Sequence, residues 1–398
     1  MGQIQDAYIV TPRRTAVGKA QKGAFRRVRP DDLLVHCIRG LLEANPGVDP
    51  ARIEDLIVGC AMPEGEQGMN VARNAALLAG LPDRVPGMTV NRYCSSGLQS
   101  IAIAADRIRL GESDLILAGG TESMSLVPMG GHHPAFNPRI FERREDFGIA
   151  YGMGITAEKV AEQFKVSRED QDAWASRSHE RALAAIDNGD FSDEILPYEV
   201  AHPVPKGDSG ETEIKRRVVD TDEGPRPGST PEVLAKLRPV FARQGSVTAG
   251  NSSQTSDGAA LAFVASERAI KDFDLQPIAR LASYRVAGVP PEIMGIGPKE
   301  AIPMALDAAG VKLDDIDWIE LNEAFAAQTV AVVRETGLDP EKTNPLGGAI
   351  ALGHPLGCTG AKLTATALNA LARRNLKRAM VTMCIGTGMG AAGVFERV

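Results

Sequence analysis

The sequence predicts an α/β protein built from two copies of one strand–helix unit, with a separate segment inserted between them. Three observations carry this. Two separated stretches recur at nearly one offset. Val48 with Ile53-Glu54-Asp55-Leu56-Ile57 matches Val311 with Ile316-Asp317-Trp318-Ile319-Glu320, an offset of 263 from Ile53 to Ile316. Cys94-Ser95-Ser96-Gly97, with its following helix and strand, matches Cys358-Thr359-Gly360-Ala361, an offset of 264 from Cys94 to Cys358. Each copy alternates short apolar runs with stretches of helical period, which predicts a mainly parallel sheet covered by helices. Finally, 41 glycines beside only 5% aromatic residues suit layers whose backbones approach closely.

In chain order, Ala7–Val10 reads as a strand, followed by a basic turn over Thr11–Lys19 in which Arg13, Arg14 and Lys19 form a solvated face. Asp31–Ala44 places Leu33, Leu34, Cys37, Ile38, Leu41 and Leu42 at helical spacing, with Asp31 or Asp32 as cap. Cys37 therefore belongs to a core stripe. Ile53–Cys60 is a buried strand that ends on a structural cysteine, and Asn70–Ala79 is a second helix. Met88–Val90 is a short strand, Leu98–Leu110 a helix, and Asp114–Ala118 the next strand. In the second copy the helix after Cys358 runs to Leu371, and Ala379–Met383 is its strand.

Between the copies the pattern changes. Thr121–Gly154 is rich in Gly, Met, Pro and His and reads as an irregular loop; Ala157–Asn188 is helical; Pro203–Gly245 is rich in Pro, Gly and charge. A long excursion after a strand's C-terminal end lies over the site at that edge. The insertion is thus expected to cover the Cys94 end of the sheet. The division is 1–120 for the first half, 121–248 for the inserted loop domain, 249–270 for a return to the first half, and 271–398 for the second half.

Composition narrows the function. A chain of 398 residues exceeds one average domain, and 43% hydrophobic with 24% charged residues is ordinary for a soluble protein. A net charge of −7 argues against a general nucleic-acid binder. Five scattered cysteines do not form a disulfide framework and suit a reducing cytoplasm. No apolar run is long enough to span a membrane. The start MGQIQD lacks a signal peptide and has Asp6 where a myristoylation signal needs Ser or Thr, and the end FERV is no peroxisomal address.

Cys94 stands where a strand turns into a helix N-terminus. Unpaired backbone N–H groups there favour thiolate over thiol, and Gly97 and the two serines leave the sulfur open to another molecule. Cys94 is therefore read as a nucleophile. Four more stretches are punctuated as turns: Leu321-Asn322-Glu323-Ala324-Phe325-Ala326, Gly347–Cys358, Met383–Gly390 and Val247–Gln254. By the repeat, His354 falls just before the turn equivalent to that of Cys94, and Cys384 after the strand equivalent to Asp114–Ala118. Packing about a pseudo-twofold axis would bring Cys94, His354 and Cys384 together.

The motifs CSSGLQ at Cys94, NEAFA at Asn322, GGAIALGHPLGCTG at Gly347 and CIGTGMG at Cys384 resemble those of the thiolases, in family order and over essentially the whole chain. The resemblance implies a thiolase fold, with mixed sheets covered by helices in two pseudo-twofold halves. It implies thiolysis of a 3-ketoacyl-CoA by coenzyme A through an acyl-Cys94 intermediate. His354 would activate Cys94, and Cys384 would protonate the acetyl-CoA enolate or remove the α-proton in the reverse direction. One oxyanion hole would be formed by His354 and a water held by Asn322, the other by the backbone N–H groups of Cys94 and Gly386. Ser253 and Ala249 match pantetheine contacts, Arg226 a nucleotide contact, and Met153 and Met294 the lining of the thioester tunnel.

The chain departs from some relatives at Val233, where they carry a serine for CoA, at Gly152, where they carry a histidine, and at Thr387, where many carry glycine. Lys215-Arg216-Arg217 reads as a solvated charge run. His132-His133 has no further ligand at metal spacing, so no metal is expected. Coenzyme A and acyl-CoA are substrates, with no permanent cofactor. The resemblance further implies a homodimer or homotetramer, with a β-oxidation multienzyme partner; the cytoplasmic location is the expectation from the cysteines and the N-terminus. CSSGLQ and GNSSQ favour the degradative 3-ketoacyl-CoA thiolases over acetyl-CoA acetyltransferases. A non-catalytic carrier of acyl-CoA or lipid is disfavoured by the presence of all four chemical residues, and a cysteine hydrolase would leave the second cysteine unexplained.

Overall fold

The computed structural model describes residues 4–207 and 211–398; Met1 to Gln3 of the N-terminal stretch lie outside them. The first half contains β1 (Tyr8–Arg14), β2 (Gly18–Lys19), α1 (Pro30–Ala44), β3 (Asp55–Gly59), α2 (Val71–Ala79), β4 (Gly87–Val90), α3 (Ser96–Arg109) and β5 (Leu115–Ser123). The insertion carries α4 (Met153–Gln163), α5 (Arg168–Asp187), β6 (Tyr198–Pro205), β7 (Thr212–Val219) and the short α6 (Pro231–Leu234). The chain then returns through β8 (Ser256–Ala265) and α7 (Glu267–Phe273). The second half contains β9 (Pro277–Gly288), α8 (Gly297–Ala309), β10 (Trp318–Leu321), α9 (Ala326–Thr336), α10 (Ala349–Leu352), α11 (Leu356–Arg374), β11 (Arg378–Ile385) and β12 (Met389–Arg397).

Nine strands form one continuous path, β10-β11-β12-β9-β1-β8-β5-β3-β4, with β2 attached to β8. The order is symmetric about the β1–β9 pair: β8 corresponds to β12, β5 to β11, and β3 to β10. Beyond β10 a single parallel bridge, Ile319 to Thr343, stands where β4 stands in the first half. The internal repeat in the sequence is thus a pseudo-twofold in space.

The mainly parallel sheet expected from the alternation is corrected to a mixed one. Pairing is parallel for β3–β4, β3–β5 and β10–β11, where a helix crosses over between partners. It is antiparallel along β5–β8, β8–β1, β1–β9, β9–β12 and β12–β11. The reason is local: β11 and β12 are joined by a tight turn, and β8 re-enters the sheet only after the insertion.

The helices α3 and α11 pack on each other and on strands of both halves. A Cβ on Gly97 of α3 would lie 2.8 Å from the backbone nitrogen of Ala361 in α11. Gly97 and Ala361 are 264 positions apart, so the pseudo-twofold passes between them. Gly97 therefore serves a helix–helix crossing, not open access to the sulfur. The apolar faces of the two helices, with Leu98, Ile101, Leu363 and Leu368, are fully buried in the central core. Cys37 and Cys60 are buried in that core as expected.

Arg14 departs from the solvated face expected of it. It is fully buried, with Nε 2.5 Å from Glu194 and a two-pronged bond to Asp222 at 2.7 and 2.9 Å. Both carboxylates lie in the insertion, so the ion pairs fasten that segment to β1. The predicted helix Ala157–Asn188 is two helices. Lys165 adopts φ 52° between them, and Ser167 with Asp170 forms a capping box that starts α5. Within the Pro-, Gly- and charge-rich stretch Pro203–Gly245, and just before it, β6 and β7 form an antiparallel hairpin. On it, Lys215 and Arg216 pair with Glu213 and Glu199, and Arg217 with Glu223, so the charge run is largely neutralised by neighbours.

Candidate active site

β4 delivers the chain to a single turn, Tyr93–Ser95, that leads directly into α3. The turn is closed by Ser96: its hydroxyl donates to the Tyr93 carbonyl (2.7 Å) and accepts from the Arg92 N–H (2.8 Å). Tyr93 takes φ 43°, a left-handed conformation that a non-glycine residue holds only when its surroundings enforce it. Cys94 is 5% exposed, and its sulfur faces the backbone N–H groups of Gly386 and of Cys94 itself. Those N–H groups favour the thiolate, but burial outweighs them and pushes the Cys94 thiol up to about 12. The thiolate expected from the helix terminus is thus not the resting form. Desolvating a sulfur anion costs more than two N–H groups return.

His354 sits between α10 and α11, after Gly353 at φ 90°. Its backbone N–H donates to Gln254 O (3.2 Å). Nδ1 lies 2.6 Å from Thr359 Oγ1, and Nε2 lies 3.3 Å from Asn322 Nδ2. Burial, and then the Lys362 charge, lower its pKa to about 3, so the imidazole is neutral. Asn322 follows β10. Its N–H donates to Thr382 O of β11 (2.9 Å), and its carbonyl accepts from Gln328 Nε2 (3.2 Å). Asn322 Oδ1 is buried and meets no hydrogen-bond donor of the described residues.

Cys384 is the penultimate residue of β11, paired with Gly390 across the hairpin. It therefore lies inside the strand, where the repeat placed it just after. The residue is fully buried against Met294 and Ala324. Burial, with Cys94 nearby, holds its thiol well above the ordinary range. The turn that follows contains Gly386, Thr387 at φ 62° and Gly388 at φ 87°. Thr387 thus occupies a conformation natural to glycine, and its hydroxyl donates to the Gly386 carbonyl (2.6 Å).

Two cavities meet at Cys94. One, of about 290 Å³, is bounded by His354, Met294, Phe325 and the polar run Ser252-Ser253-Gln254-Thr255. The other, of about 470 Å³, runs beneath the 129–151 segment past Met62, Met129, Phe136, Ile149 and Tyr151; the linings of both are mainly apolar. Met153, Gly152, Leu356 and Met129 border both. Gly386 and Thr387 border the larger one. Cys384 lies behind these walls. Arg226 and Ala249 are exposed and stand outside both; the Arg226 N–H donates to His179 Nδ1 (3.2 Å). Val233 is also exposed. Among the described residues no cluster of three or more His, Cys, Asp or Glu side chains is arranged for a metal, and no helix is long and apolar enough to cross a membrane.

Sequence reasoning missed three supporting residues. Glu122, at the end of β5, is fully buried. It accepts from the N–H groups of Ala61 (2.8 Å), Met62 (3.2 Å) and Gly357 (2.8 Å) and from Gln67 Nε2. Burial raises its pKa despite these donors. It thereby clamps a first-half loop to the N-terminus of α11, beside both Cys94 and His354. Glu323 accepts from Trp174 Nε1 (2.9 Å) and Ser178 Oγ (2.6 Å) of α5, and from Asn344 Nδ2 (2.9 Å), locking the Asn322 loop to the insertion. The third is Thr359. The available signal was a charged or hydroxyl residue set inside an otherwise apolar run.

Residues 7–268 match the family Thiolase, N-terminal domain, and residues 275–397 match Thiolase, C-terminal domain. The chain belongs to the thiolase family. This thiolase is 54% identical over 393 residues to the 3-ketoacyl-CoA thiolase of Bacillus subtilis (strain 168), covering 99% of this chain and 100% of the relative. It is 47% identical to the peroxisomal 3-ketoacyl-CoA thiolase of Homo sapiens (98% and 91% covered) and 45% identical to the acetyl-CoA acetyltransferase of Pseudomonas aeruginosa (99% and 100%). Its fold superposes on the crystal structure of the Bacillus anthracis acetyl-CoA acetyltransferase with a TM-score of 0.89, at 39% identity and full coverage of both chains. The fold is therefore the thiolase fold.

Proposed function

We propose that this thiolase is a 3-ketoacyl-CoA thiolase that cleaves acyl chains longer than the four-carbon acetoacetyl group. The observation that carries the reading is the second, larger cavity that meets the first at Cys94. A 3-ketoacyl-CoA has a polar pantetheine arm on one side of the scissile bond and a hydrocarbon tail on the other. The cavity with Ser253, Gln254 and His354 offers hydroxyl and amide partners to the arm. The larger apolar cavity takes the acyl tail that stays on Cys94, and about 470 Å³ is far more than an acetyl methyl needs.

In thiolysis, Cys94 attacks the 3-keto carbon and gives its proton to His354 Nε2. The carbon–carbon bond then breaks, and its electrons leave as the acetyl-CoA enolate, which takes a proton from the Cys384 thiol. The Cys384 thiolate next accepts the thiol proton of incoming coenzyme A, whose sulfur attacks the acyl group on Cys94. Cys94 leaves as thiolate and recovers its proton from His354. The backbone N–H groups of Cys94 and Gly386 hold one oxyanion. The other is held by protonated His354 and a water on Asn322, whose buried Oδ1 lacks a protein donor. Each such donor is worth roughly 3–4 kcal/mol. Coenzyme A passes through as substrate, with no permanent cofactor. Ser253 and Ala249 contact its pantetheine, and Arg226 its nucleotide end.

Thiolysis rates with 3-ketoacyl-CoAs of increasing length test the reading: kcat/KM should rise beyond the four-carbon substrate. A maximum at acetoacetyl-CoA with no turnover of longer chains would favour the second reading, acetyl-CoA acetyltransferase, whose name two of the relatives carry. The chain is also proposed to act as a cytoplasmic homodimer or homotetramer, alongside a β-oxidation multienzyme partner. In support of self-association, β4 is an open edge strand, flanked by exposed Met69, Leu77, Leu78 and Met88.

A further inference from the structure

We propose that Thr359 is a positioning residue that holds His354 in the Nδ1–H tautomer, leaving the Nε2 lone pair to receive the Cys94 proton. Only the use made of that lone pair rests on the thiolysis reading above; the tautomer itself does not.

The argument is a proton count over three contacts. Nδ1 lies 2.6 Å from Thr359 Oγ1, Thr359 Oγ1 lies 2.9 Å from Pro355 O, and Nε2 lies 3.3 Å from Asn322 Nδ2. A neutral imidazole has one ring proton and a hydroxyl has one; a carbonyl has none, and an amide nitrogen only donates. With the proton on Nδ1, every contact has one donor and one acceptor: Nδ1–H to Thr359, Thr359 O–H to Pro355 O, and Asn322 N–H to Nε2. With the proton on Nε2, the Thr359 hydrogen must turn to Nδ1. Two oxygens at 2.9 Å are then left with no proton between them, and Nε2–H points at an amide N–H. Thr359 is fully buried, so bulk water does not compete for its hydroxyl. Its own N–H donates to Pro355 O as well (2.9 Å), fixing the residue in the first turn of α11.

The consequence is a base whose lone pair is aimed before substrate arrives. The same nitrogen, once it carries the Cys94 proton, becomes an N–H donor for the oxyanion. One hydroxyl buried behind the ring thus serves both steps. By the internal repeat, Thr359 is the counterpart of Ser95, whose hydroxyl pairs with Tyr284 Oη at 3.1 Å. The two halves have put one position to different uses.

The test is ¹⁵N NMR of the substrate-free enzyme labelled at histidine, with the His354 signals assigned by their loss in His354→Asn. Wild type should show a protonated Nδ1 and an unprotonated Nε2. Thr359→Val keeps the bulk and removes the hydroxyl. It should mix or invert the tautomer, and transfer of an acyl group from acyl-CoA to Cys94 should slow about 10²–10⁴-fold with KM little changed. Thr359→Ser should restore both signals and rate. A wild-type spectrum with the proton on Nε2 overturns the proposal, whether or not the valine variant folds. So does a folded Thr359→Val with unchanged tautomer and acylation rate. An Nδ1–H spectrum in an enzyme that cleaves no 3-ketoacyl-CoA would sink the substrate reading and leave this one standing.

Discussion

At the residue scale the decisive fact is that both partners of the expected proton transfer rest uncharged. Burial holds Cys94 at about 12 and His354 at about 3, so an ion pair of thiolate and imidazolium is disfavoured on both sides. On the proposed mechanism the nucleophile is therefore made in the act of attack, when the proton moves to Nε2 and the oxyanion donors receive the charge. Alkylation of Cys94 by iodoacetamide in the substrate-free enzyme should accordingly show no inflection between pH 5 and 9, followed by mass mapping of the Cys94 peptide. An inflection below about pH 8 would mean that the helix terminus and the N–H groups prevail over burial, and that the thiolate stands ready in advance.

At the scale of elements, the site is a junction between two helices that start beside it. α3 begins after Cys94 and α11 after His354, and the two cross where Gly97 meets Ala361. Glu122 fixes their relative position, since its carboxylate takes N–H groups from Ala61, Met62 and Gly357 at once. A Cβ on Gly357 would lie 2.6 Å from the Cys60 Cα, so the two segments touch at backbone distance. Glu122→Gln keeps the shape but turns an amide N–H toward other N–H groups. Charge-assisted bonds of this kind are worth about 1.5–3 kcal/mol each, and a buried donor left unpaired costs further. The variant should lose about 2–4 kcal/mol in urea unfolding, and kcat should fall more than KM changes. Wild-type stability would show that the clamp carries no load. Glu323 does the equivalent work for the Asn322 loop, and Arg14 for the insertion as a whole.

At the scale of the molecule, burial of titratable groups sets the pH range of the fold. His179 and His354 are neutral in the folded protein, at about 4 and about 3, while in the unfolded chain they titrate near 6.5. Below that pH the unfolded chain binds protons that the folded protein refuses. Stability should therefore fall with acid by about 1.4 kcal/mol per pH unit for each histidine. On the alkaline side the sign reverses. Cys37, Cys60, Cys94, Cys358 and Cys384 are all held above the ordinary thiol range by burial. The unfolded chain releases their protons above roughly pH 8.5, and stability falls again. His179→Gln should therefore flatten the acid limb of the urea midpoint relative to wild type between about pH 4 and 6.5; an unchanged limb would contradict this.

The sequence by itself determined the alternation of strands and helices and the duplication, and its repeat singled out Cys94, His354 and Cys384 as candidates. These are properties of spacing and local chemistry, and both survive in one dimension. The tertiary structure decided what depends on contacts between distant segments. It joined the two halves into one mixed sheet through the β1–β9 pair, buried Arg14 against carboxylates some two hundred positions away, and set the charge state of Cys94. A helix N-terminus is visible in a string of residues and argues for a thiolate. The degree of burial that reverses the argument is not, because desolvation sums over atoms supplied by every part of the chain. The same holds for Glu122, which carries no motif of its own and acquires a role only when α11 is laid against the first half.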